Sequence, residues 1–249
     1  MYFFLTQLSL SDLLVTTTIV PNTLYVICYD GGTMSFSACI IQFYVFACSE
    51  MFEFFLLSVM AYDRYLAICN PLRYNSIMNP VLCIKSVIIS WLLSFSVELI
   101  VIISIIQLQF CGPNVIDHFF CDYVPLLELS CSDTSFIEEE IIILCVPFSL
   151  TPLIIIVVFY VYIVRAAVRV SSISGSSKVF ATCSSHLTVV FIFYGTLLGI
   201  YMIPNKNKSL TVNKISSLLY TVVTPMINPI IYSLRNEDIK KAVKTILVK

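Results

Sequence analysis

Charge is the first thing this sequence lacks: only 12% of its 249 residues are Asp, Glu, Lys or Arg, while 59% are hydrophobic. Soluble domains carry about 25% charge, so water is not the main solvent of this chain. Glycine is scarce too. With six glycines, the chain has neither a phosphate-cradling loop nor a nucleophile elbow. Two histidines and ten cysteines fall into no Cys/His spacing of a zinc site. Enzyme chemistry therefore finds no parts here. No repeat of 20–50 residues is present, which argues against a solenoid or an obviously duplicated transporter. The net charge of −1 gives no sign of a nucleic-acid partner, and what informs is where the charges fall.

What is abundant is apolar length. Six runs near the roughly 20 residues needed to cross a bilayer can be read: Met1–Ile27, Ser37–Tyr62, Val81–Gln107, Phe136–Val164, Val179–Ile203 and Asn213–Leu234. Unpaired backbone groups are costly in lipid, so runs this long and this apolar predict helices, and the expected fold class is an all-α polytopic membrane helix bundle in a single domain over 1–249. Eleven of the 14 Lys and Arg residues, among them Arg64, Arg73, Lys85, Arg165, Arg169 and Lys178, fall on one side of these runs, with Lys206, Lys208 and Lys214 on the other. By the positive-inside rule the first side is cytoplasmic and the Gln107–Ser135 loop is outside. Residues 236–248 carry Ile239, Val243, Ile246 and Leu247 on one helical face and Lys240, Lys241 and Lys244 on the other, the pattern of a tail helix lying on the membrane surface. Met1-Tyr2-Phe3 stands at the head of a run without the flanks of a signal peptide, so the chain reads as beginning inside a longer parent.

The cytoplasmic end of the second run reads Met60-Ala61-Tyr62-Asp63-Arg64-Tyr65-Leu66-Ala67-Ile68-Cys69-Asn70-Pro71-Leu72-Arg73-Tyr74. This block resembles the signature of odorant receptors, the rhodopsin-like, G-protein-coupled class. Four further blocks agree in order and spacing: Leu8-Ser9-Leu10-Ser11-Asp12, Lys178-Val179-Phe180-Ala181-Thr182-Cys183-Ser184-Ser185-His186-Leu187, Phe193-Tyr194-Gly195-Thr196, and Pro225-Met226-Ile227-Asn228-Pro229-Ile230-Ile231-Tyr232-Ser233-Leu234-Arg235-Asn236. The resemblance runs from the family's second helix to its tail helix, so the family's first helix is expected upstream of Met1. Phe159-Tyr160 stands where the family has Ser-Tyr, and a glycosylation sequon, Asn207-Lys208-Ser209, lies on the outer side.

The resemblance implies an odorant pocket in the outer halves of the helices. From the second run it takes Phe46, Ala47, Glu50 and Met51; from the fourth, Leu144, Cys145 and Phe148; from the fifth, Tyr194, Leu197, Leu198 and Tyr201; from the last, Leu218 and Thr221. Most are apolar, as a site for small, sparingly soluble molecules requires. It implies coupling to a heterotrimeric G protein through Asp63, Arg64, Tyr65, Tyr160 and Tyr232, at a plasma membrane, in sensory-neuron cilia. Cys39, Cys111, Cys121 and Cys131 lie on the outer, oxidising side. Three connectivities are open to them by sequence, and the resemblance implies Cys39–Cys121 and Cys111–Cys131.

Ionisable groups within the membrane are functional candidates by default: Asp12, Glu50, Glu53, Glu98 and His186. Glu53 lies eleven residues before Arg64, about 16 Å up the axis, where it can meet Asp12 near the midplane. Rhodopsin-like receptors resemble this in holding sodium there, so a sodium ion on Asp12, Glu53 and Asn228 is the one cofactor expected, the competing reading being a shared proton. Glu98 reads as a neutral, helix-packing acid and His186 as a packing or gating residue. Buried acids also mark ion paths, so an ion-coupled transporter or channel fragment is the alternative function, with a nonfunctional receptor remnant the third.

Overall fold

The computed structural model describes residues 1–169, 173–201, 214, 217–235 and 245. The expected tail helix (Thr245 aside), the Asn207-Lys208-Ser209 sequon and the side chains of Lys178, Leu198, Tyr201 and Tyr232 lie outside the described residues. The elements are α1 (Tyr2–Cys28), α2 (Phe36–Cys69), α3 (Pro71–Ile77), α4 (Pro80–Ile106), α5 (Tyr123–Glu128), α6 (Ser135–Arg169), α7 (Ile173–Tyr201), a π-helical turn (Leu219–Val223) and α8 (Thr224–Arg235). Among the described residues there is no strand, only an antiparallel bridge between Phe110 and Ser130. The chain is a helical, multi-pass membrane protein. α1, α2, α4 and α6 are each long and apolar enough to cross a bilayer, and shorter apolar stretches, Cys183–Leu197 and Thr221–Ile231, sit in α7 and the last helix.

Helix starts are set by local chemistry. Ser35 caps α2 by accepting from the Ala38 N–H, 3.2 Å, and Asn79 caps α4 by accepting from the Leu82 N–H, 2.9 Å, each satisfying a donor the helix cannot. Pro71 and Pro80 follow at first-turn positions, where a missing N–H costs nothing. Hydropathy marked only the oily part of each helix. α2 continues past Tyr62 to Cys69, and α6 past Val164 to Arg169, because a hydrogen-bonded helix has no reason to stop where the hydrocarbon does.

α2 is the hub, buried along its length and packed on α1, α4, α6 and α7. Lipid offers apolar side chains no gain from leaving water, so helices associate through close packing. On α4 the serines 86, 90 and 94 each return a hydroxyl bond to the carbonyl four residues back, 2.8–2.9 Å, which lets small side chains face α2 without an unpaired donor. Trp91 stacks on Phe52 of α2 with centroids 4.0 Å apart, a contact worth about 1 kcal/mol beyond its area. α6 buries only 11% of its most apolar window against the described residues, leaving an apolar face of the kind bilayer lipid covers.

The connection between α4 and α6 is built rather than loose. Cys39–Cys121 ties it to the head of α2, and Cys111–Cys131 closes it on itself beside the Phe110–Ser130 bridge. This is the disulfide end of the bundle. Arg64, Arg73, Lys85, Arg165 and Arg169 mark the opposite, basic end.

Candidate functional site

Three levels of side-chain chemistry stack along the bundle axis. At the disulfide end, residues 117–122 form a lid fastened to two helices and to the segment that opens the last one. Asn22 of α1 donates to the Phe119 carbonyl, 3.1 Å, and the Cys121 N–H donates to Gln42 Oε1 of α2, 2.9 Å. Gln42 in turn donates to the Thr18 carbonyl of α1, 2.9 Å. His118 Nε2 lies 3.0 Å from Ser217 Oγ, and Asp117 pairs with Lys214. Burial holds the His118 imidazole below its ordinary value, against the opposing charge of Asp122. Phe120, on the lid's underside, meets Phe46 edge-on at 5.6 Å.

The expected pocket residues fall into two apolar clusters below this lid. Phe46 is buried in the upper one with Ala47 against it. Met51 and Tyr194 are buried in the lower one, with Leu144, Phe148 and Leu197 packed on it. Cys145 touches both, so the two are continuous. Tyr194 sets its ring on Phe54 and donates its hydroxyl to the Ser149 carbonyl, 3.3 Å, linking α7 to α6. Thr221 is buried with its hydroxyl on the Ser217 carbonyl, Leu218 is half-buried, and so is Glu50 on α2.

At mid-depth, Asn228 of α8 donates to Asp12 Oδ1 of α1 across 3.1 Å. Asp12 Oδ2 and Asn228 Oδ1 are buried acceptors with no hydrogen-bond partner among the described residues. Glu53 is buried and interacts with Asp12 and Glu50 through their charges. Ser11, beside Asp12, donates to the Ser49 carbonyl, 3.2 Å, and so holds α1 against α2. Oxygens of this kind, beside buried carboxylates, are the ligands a hard cation takes. Among the described residues no three His, Cys, Asp or Glu side chains converge as a metal cluster, so any ion here would lean on the Asn228 amide as well as on the acids.

Nearer the basic end, His186 of α7 is fully buried. Its Nε2 lies 3.1 Å from the Leu57 carbonyl of α2, and its Nδ1 lies 2.9 Å from the Tyr160 hydroxyl of α6. A carbonyl only accepts, so Nε2 carries the proton and Nδ1 receives the bond from Tyr160. One neutral imidazole thus clasps three helices. At the end itself Asp63 is buried and accepts from the Tyr74 hydroxyl, 2.9 Å, while Arg64 Nε stands 4.0 Å from Asp63 Oδ2. Burial, then the bond to Asp63, pushes the Tyr74 phenol up to about 12. Tyr65 stacks on Phe159 at 5.2 Å.

Sequence reading missed the partners more than the residues. Gln42, Asn22 and Ser217 carry no local motif, because each acts on a residue distant in the chain, and Tyr74 stands in the signature block without its bond to Asp63 being readable from it. His186 read as packing or gating, and its three-helix clasp needed coordinates. Glu98 is buried on α4, away from the Asp12 level.

A family model described as olfactory receptor matches residues 1–249. Olfactory receptor 1468 of Rattus norvegicus is 43% identical over 249 residues, covering 100% of this chain and 79% of its own length. Olfactory receptor 2G6 of Homo sapiens is 44% identical over 248 residues, covering 100% and 78%. Olfactory receptor 11L1 of Homo sapiens is 46% identical over 254 residues, covering 99% and 77%.

Proposed function

This chain belongs to the olfactory receptor family, and from that premise we propose that it binds small, mostly apolar odorants beneath the lid and activates a stimulatory heterotrimeric G protein at the basic end. The observation that carries the reading is the double attachment of α7 to α2. Tyr194 packs on Phe54 at 5.3 Å beside the apolar clusters, and His186 reaches the Leu57 carbonyl two turns nearer the basic end.

A ligand moves an equilibrium only through unequal affinity for its two states. An odorant wedged between Met51 of α2 and Tyr194 of α7 loads the upper attachment and leaves the lower one as the resistance. Losing the His186 clasp strands a buried donor at a cost of about 1–3 kcal/mol, which is the size of ordinary coupling energies between sites. Once α7 parts from α2, Arg64 is free to leave Asp63 for a cytoplasmic partner, since its guanidinium stays charged at any accessible pH. A sodium ion on Asp12, Glu53 and Asn228 would hold the resting packing, its charge offsetting the burial of the two carboxylates. The plasma membrane of sensory-neuron cilia is the compartment this reading implies.

The test is odorant-driven cyclic AMP production in cells expressing the chain, against Arg64→Ala at matched surface level. The expected result is a dose-dependent response in the unaltered chain and none in the variant. A response that survives Arg64→Ala at equal expression overturns the coupling assignment.

A further inference from the structure

At the basic end, on the outside of the bundle, a slot of about 190 Å³ runs between α2, α4 and α6. Each helix contributes a pair one turn apart, Ser58 and Tyr62, Leu82 and Ser86, Ile155 and Phe159, and Val59 and Met78 complete the lining. Pairs four residues apart stand one above the other on a helix face, so the slot lies parallel to the helix axes and suits a linear chain. Ile155 on its wall is 38% exposed, so it opens toward the bilayer. Its hydroxyl donors are spent at home, Ser58 on the Phe55 carbonyl at 2.7 Å and Ser86 on the Leu82 carbonyl at 2.9 Å. The interior is therefore oily, while the Tyr62 hydroxyl makes no hydrogen bond among the described residues.

The rim is basic. Lys85 is exposed on α4, three residues after Leu82 and next to Ser86, and Arg73 is exposed on α3. α4 runs away from the basic end, and helical side chains lean toward their helix's N-terminus, so a Lys85 side chain extended that way reaches the mouth of the slot. Among the described residues the one acid at this end, Asp63, is buried. A phosphate at the mouth thus meets positive charge with no exposed carboxylate among the described residues at this end.

We propose that this slot binds an anionic phospholipid of the inner leaflet, with one acyl chain between α2, α4 and α6, the phosphate on Lys85 and an ester carbonyl accepting from Tyr62. The occupant braces the resting packing. Tyr62 and Phe159 have ring centroids 5.2 Å apart across the slot, and they adjoin Asp63 and Tyr160 in sequence, so a chain held there steadies the helices that carry the coupling residues. The assignment does not depend on which ligand the disulfide end receives.

The chain has a single tryptophan, Trp91, about 7.5 Å along α4 from Ser86, which makes it a built-in reporter. The chain is reconstituted in phosphatidylcholine vesicles in which a minor fraction of lipid carries brominated acyl chains, either as phosphatidylserine or as phosphatidylcholine, and Trp91 quenching is read. Phosphatidylserine is expected to quench at about fivefold lower mole fraction, the advantage one lysine near the surface confers. Lys85→Gln should bring the two lipids to parity. Ser86→Phe fills the slot while keeping Lys85 and should also remove the advantage, and Ile155→Phe repeats that from the opposite wall, with helix content checked by circular dichroism. Parity in the unaltered chain overturns the proposal, as does a phosphatidylserine advantage that survives both slot-filling variants. Stronger quenching by a brominated sterol, indifferent to Lys85→Gln, assigns the slot to sterol and overturns it equally.

Discussion

The Tyr160 hydroxyl donates to His186 Nδ1 across 2.9 Å, where a single buried ring hydrogen-bonds both α2 and α6 from α7. His186→Phe keeps the ring and removes both bonds. Two buried hydrogen bonds are worth about 1 kcal/mol each, so the resting-to-active balance shifts by up to about thirtyfold and basal cyclic AMP is expected to rise, with odorant potency shifting the same way. Unchanged basal activity at matched surface level would show that the clasp is structural and not a brake.

The acid pair gives a second outcome. If sodium stabilises the resting packing through Asp12 and Glu53, replacing sodium by a large organic cation should raise odorant potency at least about fivefold. Asp12→Asn and Glu53→Gln should each abolish that sensitivity, and the double variant should add little, since both act on one site. Potency indifferent to the exchange in the unaltered chain favours a shared proton and removes the ion.

Proton linkage sets a third expectation, for the lid. His118 is held below its ordinary 6.5 by burial, with Asp122 and Asp117 opposing the shift and Lys214 adding to it. The closed lid therefore binds fewer protons than the open one, so closure is fully favoured above pH 6.5 and weakens as pH falls below it. Odorant dissociation should be faster at pH 5.5 than at pH 7.5. His118→Asn keeps a side chain able to bond Ser217 yet does not titrate there. An equal pH profile in that variant rules His118 out as the titrating group.

The two disulfides should differ in weight. Cys39–Cys121 spans a sequence separation of 82 and Cys111–Cys131 one of 20. Chain entropy gives roughly 4.5 and 3.3 kcal/mol for such loops. Replacing the first pair by serine should therefore lower Tm more than replacing the second. The reverse order would mean that the inner loop carries strain-free contacts the outer one lacks.

How much of this was legible in the sequence depends on the range of the interaction. Helices were readable because lipid forces each backbone to satisfy itself locally, and the Asp63-Arg64-Tyr65 block was readable because its company is contiguous. Helix ends were less so. α2 outruns its apolar stretch to Cys69 and α7 starts at Ile173, ahead of Val179, because hydropathy measures lipid contact rather than hydrogen bonding. The lid was illegible beyond its cysteines, since Asn22 to Phe119 and His118 to Ser217 bridge 97 and 99 positions and no local pattern announces them.

The π-helical turn Leu219–Val223 has a bearing on how this gene can change. There the Thr224 N–H reaches back to the Leu219 carbonyl, and the Thr224 hydroxyl accompanies it at 3.3 Å. Such a turn holds one residue more than the α-helix around it. Losing a single codon in this stretch would let the turn close to ordinary α-helix and leave the register beyond it, and so Asn228 on Asp12, in place. A further inserted codon would have no such turn to absorb it and would rotate everything beyond by about 100°. Over these few positions an in-frame single-codon deletion should therefore be better tolerated than a single-codon insertion.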